Sequence, residues 1–321
     1  MSSYRLAEPP LFTRLHDASR VLIAGAGGGF DIYGGLPLAV ALEGLGKTVH
    51  LANLSFGDLG RTPLDDWLLP GVAAVTPDTV GDDDYFPERS LARWLGATGR
   101  EPVVYTFPRS GVRPLRAAYR GLVEQLGVDA IVLVDGGTDI LLRGDETGLG
   151  TPHEDMTSLA AVAGLDDLTA VVVSIGFGVD AYHGVCHAHV LENLAALQRR
   201  NAYLGALSIP LDSPEGAAYL DAVEQAVADT PLRPTIVHTQ IAGALRGEFG
   251  DVHTTGRTGG SELFVNPLMA MYVAVDLRAL ARTIEYLPLL EPTEHAHQVL
   301  HVIEAHLSSR PRPRSPRLIP H

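Results

Sequence analysis

Residues 21–31 read VLIAGAGGGFD. Val21, Leu22, Ile23 and Ala24 run directly into Gly25, Gly27, Gly28 and Gly29. Gly34, Gly35 and Pro37 then lead into the apolar-periodic residues 38–45. A buried strand, a glycine loop and a helix start, in that order, form the opening unit of an open α/β sheet. Glycines admit positive φ and let a ligand approach the main chain. A helix start offers unpaired N–H groups at the positive end of its dipole. Gly25, Gly27, Gly28, Gly29 and Asp31 are therefore expected to line a site for an anion, phosphate above all.

Working outward, apolar strands alternate with amphipathic stretches along the whole chain. Strands are expected at residues 20–26, 47–54, 71–76, 102–107, 129–134, 168–175, 202–209 and 234–238. Helices are expected at 35–45, 87–96, 112–126, 153–163, 187–200, 214–229, 240–246, 276–286 and 292–309, with Thr151 capping the helix at 153–163 and Pro152 in its first turn. Residues 268–275 fit a strand or a buried helix equally well. The pattern predicts a Rossmann-like α/β fold, a largely parallel sheet with helices on both faces, as one domain over residues 1–309. Residues 41–48, ALEGLGKT, imitate a P-loop, but they close a helix and open a strand, the reverse of what a P-loop does.

A net charge of −14 and an isoelectric point near 5.3 argue against nucleic acid as a partner, because phosphate backbones demand clustered Lys and Arg. Only residues 310–321, RPRPRSPRLIPH, are basic, and Pro alternating with Arg predicts a disordered tail. Lys47 is the sole lysine, which removes Schiff-base and phosphate-clamping lysine schemes. Cys186 is the sole cysteine, so no intrachain disulfide forms. With no stretch of membrane-spanning length and no signal-peptide core, the expected location is the cytoplasm, without a membrane partner. A homo-oligomer is compatible with this composition.

In an open α/β sheet the ligand lies beyond the carboxyl ends of the strands. Three loops combining Gly with Asp are expected at that edge: residues 25–31, 135–139 and 176–180. The first matches the dinucleotide fingerprint only in part. Phe30 stands where a third glycine belongs, and the second strand ends near Asn53 instead of at a ribose-binding acid, so nicotinamide hydride transfer is disfavoured. In the second loop, Asp135 and Asp139 lie four apart around Gly136 and Gly137. Such a pair can hold Mg²⁺, bind sugar hydroxyls or divide acid and base roles; Asp135 could instead close an Asx turn on its own backbone. Asp145 and Glu146 add acidity further on. The third loop supplies Asp180 and His183, followed by Cys186, His187, His189 and Glu192. His183 and His187 have the spacing of a helical pair, but Gly184 places the helix start between them. Arg109, after a strand, and Arg257, in the loop 250–260, are the expected anion-neutralising cations. The acidic run Asp82, Asp83, Asp84 and the helical His295, His297, His301 and His306 read as solvated faces.

Three motifs, GAGGGFD with GGLPLAVAL, VDGGTDILLRGDE and SIGFGVD, resemble the family known as domain of unknown function 1152. The resemblance spans most of the chain up to the basic tail, and its second motif is the most specific. It implies a shared α/β fold and ligand site and carries no activity.

The residues together predict an enzyme that binds a phosphorylated small molecule, a nucleotide or sugar phosphate, and catalyses hydrolysis or group transfer. Asp135, Asp139, Asp180 and His183 would carry the chemistry. Gly25, Gly27, Gly28, Gly29, Asp31, Gly136, Gly137, Arg109 and Arg257 would hold the ligand. Asp135 and Asp139 are the candidate metal ligands, with Mg²⁺ or a nucleotide as the expected cofactor. Two alternatives stand beside this: a metal-dependent hydrolase using the histidines and acids of residues 183–192 with Asp135 or Asp139, and a ligand-binding protein without turnover.

Overall fold

The central strands of the sheet are nearly unbroken apolar runs because both of their faces are covered. The computed structural model describes residues 4–253 and 263–319. Its strands are β1 Arg20–Gly25, β2 Thr48–Ser55, β3 Trp67–Leu69, β4 Val72–Val75, β5 Val104–Pro108, β6 Ala130–Asp135, β7 Thr169–Ser174, β8 Tyr203–Ser208, β9 Gly250–Asp251, β10 Phe264–Val265 and β11 Met271–Asp276. Its helices are α1 Pro10–Arg14, α2 Leu36–Gly44, α3 Pro87–Ala97, α4 Val112–Leu126, α5 Pro152–Ala163, α6 His187–Gln198, α7 Pro214–Asp229, α8 Ile236–Leu245, α9 Leu277–Ala281, α10 Leu287–Leu290 and α11 Ala296–Ser309.

Successive side chains of a strand point to opposite faces, and two cores form accordingly. Leu22 and Ala24 of β1 and Ile131 and Leu133 of β6 pack with Tyr119, Met156 and Ile303 from α4, α5 and α11. Val21, Ile23, Ala130, Val132 and Val134 pack with Leu42, Trp94, Tyr219 and Ile241 from α2, α3, α7 and α8. The sheet is largely parallel with helices on both faces, as its sequence predicts.

Nine strands form the main sheet in the order β3-β4-β5-β2-β1-β6-β7-β11-β8. The run β5-β2-β1-β6-β7 is parallel throughout and follows the doubly wound order. Antiparallel strands flank it: β4 against β5 on one side, and β11 inserted between β7 and β8 on the other. The order reverses between β1 and β6, where Gly25 pairs with Val134. Crossovers leave β1 to one side and β6 to the other, which opens a crevice at their carboxyl ends.

Three local expectations change. Within residues 268–275, the first three end the 3-10 turn Pro267–Ala270 and the rest lie in β11, whose Val273 and Val275 enter one core while Tyr272 and Ala274 enter the other, the period of two that a strand requires. Residues 234–238 are no strand. Thr235 accepts a hydrogen bond from His238 N at 3.2 Å and so caps α8, which places His238 in that helix's first turn. Residues 310–319, expected as a disordered tail, run back over the molecule. There Arg314 pairs with Asp145, Glu146 and Glu192, partners that composition alone does not reveal. Among the described residues no helix is long and apolar enough to cross a membrane.

Candidate metal centre

β1 delivers its chain to the crevice at Gly25, and Asp31 opens the 3-10 turn Asp31–Gly35 that leads into α2. Asp135 is the last residue of β6, and Asp139 opens the turn Asp139–Leu141. Beyond β7, Gly176 and Gly178 adopt φ of 89° and 97° and carry the chain to Asp180. Asp155 arrives from the first turn of α5. One carboxylate oxygen from each of Asp31, Asp135 and Asp155 lies within 4.8 Å of the other two, and Asp139 and Asp180 flank them.

The glycines make room for these carboxylates. A Cβ at Gly27 would stand 2.7 Å from Asp31 Oδ2 and 2.8 Å from Asp155 Oδ1. One at Gly136 would stand 2.8 Å from Asp31 Oδ1, and those at Gly137 and Gly150 would fall on the carboxylates of Asp180 and Asp139. The loop's N–H groups are also in use. Gly27 N donates to Asp31 Oδ2 at 2.7 Å, and Gly29 N donates to the Leu54 carbonyl at 3.1 Å. A phosphate lying directly on residues 25–31 would therefore meet two carboxylates and few free donors, contrary to the expected anion cradle.

Partial hydrogen bonding orders the outer members of the cluster. Asp180 Oδ2 accepts from Thr138 N at 2.6 Å, and Asp139 Oδ2 accepts from Thr151 N at 2.7 Å. Thr151 thus ties down Asp139 and makes no side-chain cap on α5. In the centre, Asp135 Oδ2 and Asp155 Oδ1 are buried without any hydrogen-bond partner, so Asp135 closes no Asx turn with that oxygen. The ion pairs of the described residues all use other carboxylates.

Burial and mutual repulsion decide the titration of the group. Burial, then the neighbouring Asp155 and Asp139 charges, push Asp135 well above the carboxylate range. Burial, then Asp139 and Asp31, do the same to Asp155. Asp180 is raised by burial and by Asp139, and Asp31 is pushed up to about 7, mainly by burial. Burial also raises Asp139, against the hydrogen bonds from Thr151 and the nearby His183. Buried oxygens without cations are a hard-ligand set for Mg²⁺, Mn²⁺ or Ca²⁺.

A cavity of about 670 Å³ opens beside the cluster, lined by Gly28, Gly29, Asp31, Asp180, His183 and His238 among others. Phe30, Phe56, Tyr85 and Tyr182 give it aromatic walls, and Arg233 stands at its rim. The structure thus brings together Asp31, Asp135, Asp139, Asp180, His183 and the glycines expected from sequence. It adds Asp155 and His238. Asp155 reads in sequence as one more acid in a helix's first turn, and His238 is hidden by the mistaken strand at 234–238.

Other expected residues lie elsewhere. Arg109 stacks over the Phe56 ring at 5.5 Å and faces Glu154 at 3.8 Å, outside the cavity lining. Arg257 lies outside the described residues. The histidines and acids of residues 183–192 do not converge, and the candidate metal-ligand group among the described residues contains none of them. His183 precedes Gly184 and α6 starts at His187, so the two imidazoles share no helix face. His187 stacks on Phe177, His189 Nε2 meets the Ser315 carbonyl, and Glu192 is held by Arg314 and Arg317. Where a dinucleotide-binding protein offers its ribose an acid, Asn53 is wholly buried. It donates to the Gly29 carbonyl at 2.7 Å and to Glu88 Oε1 at 2.8 Å. Burial pushes Glu88 up to about 7. That position is filled by the protein itself.

Residues 70–307 match the family described as protein of unknown function, DUF1152, and the chain belongs to it. The matched span includes the second and third motifs and begins after the first glycine loop. No curated protein matches the chain. Two solved structures align with 80% of this chain and 97% of their own, both with a TM-score of 0.29. One is the zinc-inhibited form of the teicoplanin deacetylase Orf2, at 10% identity; the other is a deacetylase–bog complex in the teicoplanin biosynthesis pathway, at 11%. A likeness of that size carries no argument.

Proposed function

We propose that this protein is a divalent-cation-dependent enzyme that hydrolyses, or transfers a group from, a small phosphorylated ligand. One observation carries the proposal. Oxygens of Asp31, Asp135 and Asp155 converge within 4.8 Å in a buried site beside a ligand-sized cavity, and among the described residues no ion pair involves them. Buried carboxylates in that state either take up protons or hold a metal.

Asp31, Asp135 and Asp155 would hold the cation, and the ligand's oxygens would complete its coordination, the usual arrangement for Mg²⁺ with phosphates. An anion thereby reaches a negatively charged edge through the metal, where the glycine loop alone offers it little. A cation so placed polarises a phosphoryl oxygen and acidifies bound water. Asp139 and Asp180, both raised and both at the cluster's margin, are the groups suited to move a proton.

The test is calorimetric titration of Mg²⁺ and Mn²⁺ into chelator-treated protein, then phosphate release from a panel of nucleotides and sugar phosphates with and without the metal. Stoichiometric binding that is lost in Asp135→Asn and Asp155→Asn, with turnover of a panel member, is expected. Folded protein that binds neither ion would sink the proposal.

A further inference from the structure

The cavity contains one more buried group, which the carboxylates do not explain. His238 is wholly buried and lines the cavity with Asp31 and Asp180. Its two ring nitrogens are in different situations. Nδ1 lies 2.9 Å from the Tyr219 hydroxyl, itself buried, whereas Nε2 has no hydrogen-bond partner. If Nδ1 carried the ring proton, the Tyr219 hydroxyl proton would be left without an acceptor. With Tyr219 donating, Nδ1 accepts and the ring proton sits on Nε2. The Phe30 carbonyl is near enough to favour a proton on the ring, though out of hydrogen-bonding geometry with Nε2. Burial holds the imidazole down to about 4, so it is neutral under ordinary conditions.

Gly136 locates this nitrogen relative to the carboxylates. A Cβ there would lie 2.8 Å from Asp31 Oδ1 and 3.5 Å from His238 Nε2, so both groups flank the same missing side chain. A neutral N–H beside a divalent cation costs no charge repulsion, while a buried N–H without an acceptor is destabilising. An oxygen of the ligand would relieve that cost.

We propose that His238 donates a hydrogen bond from Nε2 to a phosphoryl oxygen of the ligand beside the cation at Asp31, Asp135 and Asp155, with Tyr219 as the positioning residue that fixes the tautomer. This rests on the cation site proposed above.

The experiment uses full-length protein labelled with ¹⁵N-histidine, loaded with Mg²⁺ and titrated with inorganic phosphate as the probe. Long-range ¹H–¹⁵N spectra report which nitrogen of His238 is protonated, and calorimetry reports the ion. We expect an Nε2–H tautomer whose resonance moves as phosphate binds, and a mixture of tautomers in Tyr219→Phe. Phosphate affinity of the Mg²⁺-loaded protein should fall about tenfold in His238→Phe and within about threefold in His238→Gln, which keeps a donor. An Nδ1–H tautomer in the wild type, or phosphate binding that leaves the His238 resonance unmoved, overturns the donor role while the cation site stands. Failure to take up Mg²⁺ at all overturns the cation site and this role with it.

Discussion

Two buried acidic groups lie about ten residues apart on the same stretch of chain, and the protein treats them in opposite ways. Glu146, fully buried, accepts from Arg143 N, from Gly144 N at 2.8 Å and from Asn193 Nδ2 at 2.8 Å, and pairs with Arg314 at 2.6 Å. Every part of its charge is answered from within the molecule. Asp135 and Asp155, also buried, each leave an oxygen with no partner, and the acids around them add repulsion. A carboxylate whose charge is matched internally stabilises a loop. A group left unmatched stores an affinity for something outside the chain.

The largest effect should come from matching the second group artificially. Asp135→Asn is expected to lower Mg²⁺ or Mn²⁺ affinity at least about 100-fold, read by calorimetry. In metal-free protein the same substitution should stabilise, and by more at pH 8 than at pH 5. The sign follows from linkage. Asp135 is raised in the folded state, so between its unfolded and folded values the native protein binds the extra proton, and wild-type stability declines as pH rises through that window. Asparagine does not titrate, so the advantage of the variant grows with pH. Thermal melts at the two pH values, with a chelator present, would show a difference on the order of 5 °C at the higher one. A destabilised variant at pH 8 would mean that Asp135 already has a partner in the folded chain.

The internally matched group should break in the other direction. Arg314→Ala leaves Glu146 buried beside acids it no longer balances, and should cost about 2 kcal/mol in denaturant unfolding. The value sits below that of a wholly buried pair because the Arg314 side chain is 20% exposed. Cation affinity should stay unchanged in this variant, since Glu146 takes no part in the Asp31, Asp135, Asp155 set. A parallel loss of both would merge the two groups into one network.

How much of this contrast could be read in the sequence depends on the range of the interaction. The doubly wound sheet was legible because apolar runs, glycine turns and amphipathic stretches are local signals. Asp31, Asp135, Asp139 and Asp180 were legible for the same reason, each following an apolar strand. Asp155 was not, because its approach depends on where α5 docks, and nothing in the order of residues 152–155 encodes that. Arg314 was misread outright: alternating Pro and Arg resembles a free tail until Glu146 and Glu192 are seen beneath it. The glycines are legible, but the contacts that several of them make are not. Several of them accommodate carboxylates, a contact that links residues as far apart as Gly27 and Asp155.

The smallest effect discriminates most sharply, because two readings of Arg109 predict opposite signs. As an anion clamp its loss would weaken binding of a phosphorylated ligand tenfold or more. In the structure its side chain is 57% exposed, 3.8 Å from Glu154 and stacked over Phe56, whose ring also lines the cavity. An exposed pair and a cation–π contact contribute at most about 1 kcal/mol each, so Arg109→Ala should move the melting temperature by no more than about 3 °C. Its electrostatic consequence runs the other way. Glu154 already raises both Asp31 and Asp155, and an unpaired Glu154 makes the centre more negative. Cation affinity should therefore rise, by about threefold or less, and the gain should vanish at high salt as screening removes it. Calorimetry of Mg²⁺ binding to Arg109→Ala at low and high ionic strength reads this directly. A fall in cation affinity would mean that Arg109 orders the centre through Phe56 and does not merely dilute its charge.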